Sequence, residues 1–279
     1  MRLKPGDAPV REPAVAGSFY PASDQGLRRE VESHWETVSE PRRALGVLVP
    51  HAGLVFSGGV AGAVYSQILR PDTAILIGPD HRGLGGPLTF MGEGVWRVPG
   101  GEVSIDAPLA RDLLAQLPQA VDDPSPHGPE HCLEVQIPFL WYAGREEGKK
   151  LRIVPVLMRD FSLDSCLRLG DALAQVLKDR EDLWTIVASS DLNHYESQAV
   201  TEQKDRAAIE AILQMDPQGL IETVLREKVT MCGYGPMAAT LAACRALGAK
   251  DAELVRHSTS GDVNGDYERV VGYAGIVIR

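Results

Sequence analysis

No stretch of this 279-residue chain approaches the roughly 20 apolar residues needed to span a bilayer. The amino terminus, MRLKPGDAPVREPAV, lacks the apolar core of a signal peptide. The sequence also lacks any Lys/Arg cluster. Its 28 basic residues stand against 38 acidic ones, a formal net charge of -10, which argues against nucleic acid as a partner because phosphate binding needs a cationic surface. Cysteine is scarce: Cys132, Cys166, Cys232 and Cys244 lie far apart, with neither CxxC spacing nor the density of a disulfide scaffold. Free thiols without a signal peptide point to a reducing compartment, the cytoplasm. There is no internal repeat, no low-complexity tract and no Pro/Gly/Ser-rich linker in mid-chain, so residues 1–279 are read as one domain.

What the chain does contain is an alternation of short β-rich runs with longer helical patterns. Strands are expected over 45–49, 73–78, 152–157, 183–188, 253–257 and 270–278. These are continuous apolar runs, as suits strands covered on both faces. Pro155 inside one of them implies an edge or a bulge. Helices are expected after Asp106, with Pro108 in the first turn, after Ser162, after Asp216-Pro217, over most of 197–214 and over 236–247, where Gly248 provides a stop. The glycines of Gly58-Gly59-Val60-Ala61-Gly62 fit neither a dinucleotide fingerprint nor a P-loop and are read as close packing of a helix on the sheet. The pattern as a whole predicts a three-layer α/β/α domain around a central mixed sheet.

Three of the seven histidines fall just beyond the carboxyl end of an expected strand: His51, His81 and His194. Ligands of open α/β sheets bind outside those ends, so the three converge on one crevice if the strands run the same way. One such histidine is ordinarily a loop residue bonded to a carbonyl; three in one topological position favour a metal or acid–base site. Cys232 sits in TMCGYGPM, where glycines precede a helix whose dipole and free N–H groups favour a thiolate. Cys166 and Cys244 lie on apolar helical faces and read as structural. Glu130, His131 and Glu134 read either as pocket wall or as the solvated start of a helix. His127 and His131 are four apart, but Gly128 and Pro129 break any helix that would pair them. GDVNGDYE, at 261–268, lacks the full calcium-loop pattern and reads as a polar turn, with Asp262 and Tyr267 as possible cleft residues. His34 and His257 read as structural.

The blocks VAGSFYPA (15–22), LVPHAGLVFSGGVAG (48–62), LIGPDHRG (76–83), EHCLEVQIPFL (130–140), ASSDLNHY (188–195), MCGYGPMAA (231–239) and GYAGIVI (272–278) resemble the Memo family, whose bacterial and archaeal members are called AmmeMemoRadiSam system protein B. The family is similar in fold to class III extradiol dioxygenases, which hold non-haem Fe(II) on two histidines and a carboxylate. The resemblance implies metal ligands at His51, His81 and Cys232, with Fe(II) favoured and copper or zinc compatible with the softer thiolate. It implies His194 as the acid–base residue with Asp191 fixing its tautomer, and it places Phe19 and Phe56 where animal members carry other aromatics. Substrate contacts are then expected at Phe19, Phe56, Glu130, His131 and Glu134. The implied function is a metal-dependent, dioxygenase-like redox enzyme acting on an unidentified small molecule or peptide, linked by the family name to a radical-SAM protein and an AMMECR1-type protein. A non-catalytic module that binds a peptide or small anion in the same cleft is the first alternative, and a zinc hydrolase the second.

Overall fold

The structure is a computed structural model that describes residues 8–143 and 150–279. Along the chain run β1 (Val10–Arg11), α1 (Asp24–His34), β2 (Gly46–Val49), α2 (Leu54–Gln67), β3 (Thr73–Pro79), β4 (Leu88–Phe90), β5 (Val95–Val98), β6 (Gly101–Ile105), α3 (Ala107–Gln116) and β7 (Ala120–Asp122). A single 3-10 turn (Glu134–Gln136) then leads into α4 (Ile137–Tyr142), β8 (Arg152–Met158), α5 (Leu163–Leu177), β9 (Trp184–Ser189), β10 (His194–Glu196), α6 (Gln198–Leu213), α7 (Pro217–Arg226), α8 (Tyr234–Ala246), β11 (Ala252–Thr259), α9 (Gly261–Asn264) and β12 (Val270–Ile278). No helix among the described residues is long and apolar enough to cross a membrane.

The strands form one mixed sheet in the order β1-β5-β6-β8-β3-β9-β2-β12-β10, with β11 added to β12 and the β4/β7 pair added to β8. Its centre is parallel: β8, β3, β9 and β2 all run the same way. Side chains along these strands divide by parity, as the two-residue repeat of a strand requires. Leu48, Ile75, Ile77, Ile186, Ala188 and Ile276 face one core with α3, α5, α6, α7 and α8. Their neighbours Val47, Val49, Ala74, Leu76, Val187 and Val277 face a second core with α1, α2 and α4. Two cores on opposite faces of one sheet make the expected three-layer α/β/α architecture.

Helix starts follow the side chains expected to cap them: Asp106 accepts from the Leu109 N–H, Ser162 from Ser165 and Asp216 from Gln218. Pro155 departs from expectation, since β8 is interior and unbulged. The proline lies where the partner on one side changes, between Ile153, paired to β6, and Val156, paired to β4. Its missing N–H therefore costs no ladder bond on that side.

The α2 glycines also pack differently from the reading above: against α1, not the sheet. A Cβ on Gly62 would overlap the His34 carbonyl and one on Gly58 the His34 ring, while Gly59 faces open space. Gly62→Ala is therefore expected to cost at least about 2 kcal/mol through displaced helices. Gly59→Ala should add roughly 0.5–1 kcal/mol, because only the helix propensity changes. Urea unfolding of the two variants reads the opposite signs.

Candidate metal centre

Parallel register fixes the centre. His51, His81 and Asp191 each stand two residues past the last residue of β2, β3 and β9, so equal offsets bring them to one edge of the sheet. Cys232 arrives from the other direction, just ahead of α8. A Cβ on Gly233 would sit 2.6 Å from the Ser189 carbonyl oxygen, so glycine is what lets this turn press against the end of β9. The Gly233 N–H donates to Ser190 Oγ at 2.8 Å and pins it there. One donor atom each from His51, His81 and Cys232 consequently lies within 4.8 Å of the other two.

The hydrogen bonds around the two imidazoles decide which nitrogens are bare. Ser189 has one hydroxyl proton, donated to the Cys132 carbonyl at 2.7 Å. Its oxygen also accepts from Gln136 Nε2 at 2.9 Å, and Gln136 is itself held by the Tyr65 hydroxyl. With that proton committed, Ser189 Oγ can only accept from His51 Nδ1, 2.9 Å away, so Nδ1 carries the hydrogen and Nε2 keeps its lone pair. His81 is oriented by another route: its Nδ1 lies 3.0 Å from Glu130 Oε1, a carboxylate that only accepts, so Nδ1 carries a hydrogen and the neutral ring has its bare nitrogen at Nε2. Both ligands therefore present Nε2, each oriented through its other nitrogen, as metal-bound histidines are.

The charge balance favours a cation. Burial lowers the His51 imidazole from 6.5 to about 4, against the pull of Asp191. Glu130 is buried, which alone would raise its carboxyl. Hydrogen bonds from His131 and His81 outweigh that and hold it well below the usual carboxylate range. The Cys232 thiol is pushed up to about 12 by burial and by the nearby Asp191. The α8 dipole invoked for a thiolate is thus outweighed, and a bound cation is what would stabilise the anion here. Among the described residues, no lysine or arginine lines the cleft of about 520 Å³. Two neutral imidazole lone pairs, one thiol and flanking carboxylates fit a transition-metal ion of borderline softness.

The other expected site residues divide. Phe19, His131, Asp191 and His194 line the cleft. His131 stacks on His81 with ring centroids 4.9 Å apart, and its Nδ1 lies 3.2 Å from the same Glu130 oxygen. Glu130 lies beneath both rings, supporting them from outside the cleft lining. Glu134 is not among the lining residues: it is buried, ion-paired to Arg11 at 2.7 Å and bonded to Tyr20 and to the Ala14 and Val15 N–H groups. Phe56, on the first turn of α2, and Asp262 and Tyr267 also lie outside the lining. Asp262 instead caps the turn through the Thr259 N–H. His127 is fully buried and far in role from His131.

Asp191 does not orient His194. Its Oδ1 accepts the His51 backbone N–H at 2.8 Å and its Oδ2 lies 4.0 Å from His51 Nε2. The His194 Nδ1 faces the Thr230 carbonyl at 3.0 Å instead. A carbonyl cannot donate, so Nδ1 carries a hydrogen and the neutral ring has its bare nitrogen at Nε2. Thr230, Tyr195 and Tyr273 also line the cleft and were missed in the sequence. Nothing marks a lone threonine or tyrosine by type, although Tyr195 and Thr230 flank residues that were identified.

The lowered imidazole gives a pH prediction. Below about 6.5 the unfolded chain takes up a proton that folded His51 refuses until about 4. Its contribution to stability is thus present above 6.5 and lost as pH falls through that window, by about 3 kcal/mol. Buried His127 acts in the same sense, from 6.5 to about 4. Urea midpoints of the metal-free chain should fall over this range, and His51→Asn should flatten the fall; an equal slope in the variant would contradict the burial argument.

Comparison with known proteins places the chain in a family. A model of the Memo-like protein family matches residues 11–277. A MEMO1 family protein of Methanopyrus kandleri is 42% identical over 284 residues, covering 96% of this chain and 99% of its own length. Another, from Methanococcoides burtonii, is 40% identical over 273 residues, covering 97% and 100%. Among solved structures, an uncharacterized protein from Escherichia coli K12 superposes with a TM-score of 0.55 at 14% identity, covering 84% of this chain and all of the other, a likeness of fold. The chain belongs to the Memo family.

Proposed function

We propose that this chain is a metal-dependent enzyme of redox type, dioxygenase-like, holding Fe(II) on His51 Nε2, His81 Nε2 and Cys232 Sγ. Copper and zinc suit the same donors. The observation that carries the reading is the pair of bare Nε2 atoms, fixed by Ser189 and Glu130, converging with a thiol within 4.8 Å. When bound, the ion would supply Lewis acidity and open positions for oxygen or substrate. The chain's own residues do the rest. Cys232 gives up its proton on ligation. Asp191, buried beside His51, adds negative charge that holds a cation. His194, with Nδ1 committed to Thr230, takes and returns protons at Nε2. Phe19, His131, Tyr195 and Tyr273 supply aromatic walls for a small-molecule substrate.

Capture of a small anion in the same cleft is disfavoured because no Lys or Arg lines it among the described residues. Purification without oxygen or chelator, followed by elemental analysis, is expected to find near-equimolar iron or copper in the wild type. His51→Ala, His81→Ala and Cys232→Ser should each lower occupancy at least about tenfold. Zinc in that position would turn the reading toward a hydrolase. A wild type that takes up no metal after anaerobic reconstitution would contradict it and favour a binding module.

A further inference from the structure

His194 sits on β10, the outermost strand beyond β12, where a mobile imidazole would be of little use as a proton carrier. The strand is irregular at this point. His194 pairs with Val271 and Glu196 with Val270, and between them Tyr195 adopts a left-handed backbone at φ 62°, strained for an aromatic residue and 65% exposed. Such a conformation persists only where its surroundings over-determine it.

What fixes it is Thr230, which grips His194 twice. Thr230 Oγ1 accepts the His194 backbone N–H at 2.7 Å, and the Thr230 carbonyl lies 3.0 Å from His194 Nδ1. The threonine is held in turn. Its own N–H and its hydroxyl both donate to Asn193 Oδ1, each at 3.1 Å. The hydroxyl proton is thereby committed to Asn193, leaving Oγ1 as an acceptor for His194 and nothing else to donate. Asn193 is fully buried, and further contacts anchor it. Its backbone N–H donates to Asp205 Oδ1 at 2.9 Å, its Nδ2 donates to Glu196 at 2.8 Å, and its carbonyl accepts from the Gly272 N–H at 2.8 Å. Asp205 is itself buried and paired with His257 Nε2 at 2.8 Å, which gives His257 a definite structural role.

We propose that Thr230, backed by Asn193, is the positioning residue for His194. It holds the imidazole as the Nδ1–H form and leaves Nε2 bare toward the cleft. The use made of that nitrogen rests on the acid–base role proposed for His194, but the tautomer itself does not depend on a metal. The task assigned in the sequence reading to Asp191 belongs to Thr230, while Asp191 serves His51.

Two-bond proton–nitrogen correlation spectra of the full chain read both ring nitrogens of His194 directly. The wild type is expected in the Nδ1–H form at neutral and mildly alkaline pH. Thr230→Val keeps the shape and the carbonyl but removes the hydroxyl grip. Freed from the hydroxyl, the ring shifts against the carbonyl that selects Nδ1–H, so the ratio of the Nδ1–H to the Nε2–H form should fall, by about fivefold where that carbonyl hydrogen bond is lost. Thr230→Ser restores the hydroxyl and should restore the ratio, which a loss of packing alone would not do. Thr230 is exposed, so the valine variant is expected to fold. A wild type in the Nε2–H form, a valine variant with an unchanged ratio, or a serine variant as altered as the valine one would each overturn the proposal. Metal analysis of the wild type reads the metal assignment separately: a chain that binds no metal yet shows the Thr230-dependent tautomer would refute the metal reading and leave this one standing.

Discussion

Parallel pairing of β3, β9 and β2 forces three loops to leave the sheet at one edge, and every chemical feature of the cleft depends on that shared exit. Strands that run the same way in register end at the same height, so a fixed offset of two residues places His51, His81 and Asp191 side by side. The ladder also ends β9 on a side chain that orients a histidine. Ser189, the last of β9, directs its hydroxyl to Cys132 and thereby compels His51 to donate from Nδ1. The tautomer of a ligand is thus set by the bookkeeping of a single hydroxyl proton, made possible by where a strand stops.

Electrostatics reinforces the same geometry. Burial keeps His51 neutral and the Cys232 thiol protonated, so without a cation the centre is a set of lone pairs waiting on charge. The carboxylates are distributed behind the ligands: Glu130 under His81 and His131, Asp191 against His51. Neither belongs to the ligand set proposed above, yet both favour a positive charge in the cleft. Glu134, four residues on from Glu130, works for the scaffold. Its partners Arg11 and Tyr20 tie the amino-terminal segment to the turn that carries Glu130. Breaking such a buried pair leaves an unpaired charge, which makes it a stability element.

Much of this was legible in the sequence because the informative features are local. Continuous apolar runs marked the six strands now seen as β2, β3, β8, β9, β11 and β12, and capping residues marked the helix starts. The position of a histidine just past a strand is also a local fact, and it brought His51, His81 and His194 together correctly. The short strands β4, β5, β6 and β7 escaped because three to five residues among glycines and prolines carry too little periodicity to identify. Pairings between distant side chains were the least legible. Whether His194 answers to Asp191 or to Thr230 depends on how the intervening chain, through α6 and α7, returns to the sheet, which no spacing records. Likewise Glu130 and Glu134 are four apart and alike in type, but one faces the histidines and the other faces Arg11.

The central claim is that Cys232 and the two bare Nε2 atoms hold one ion together. X-ray absorption at the metal edge of the loaded chain tests it most directly, because sulfur and nitrogen scatter differently. A single sulfur with two imidazoles around the ion, the sulfur vanishing in Cys232→Ser while the imidazoles remain, is the predicted result. A shell of nitrogen and oxygen alone in the wild type would contradict the account, for it would place the ion away from the thiol that the turn at Gly233 brings to the end of β9.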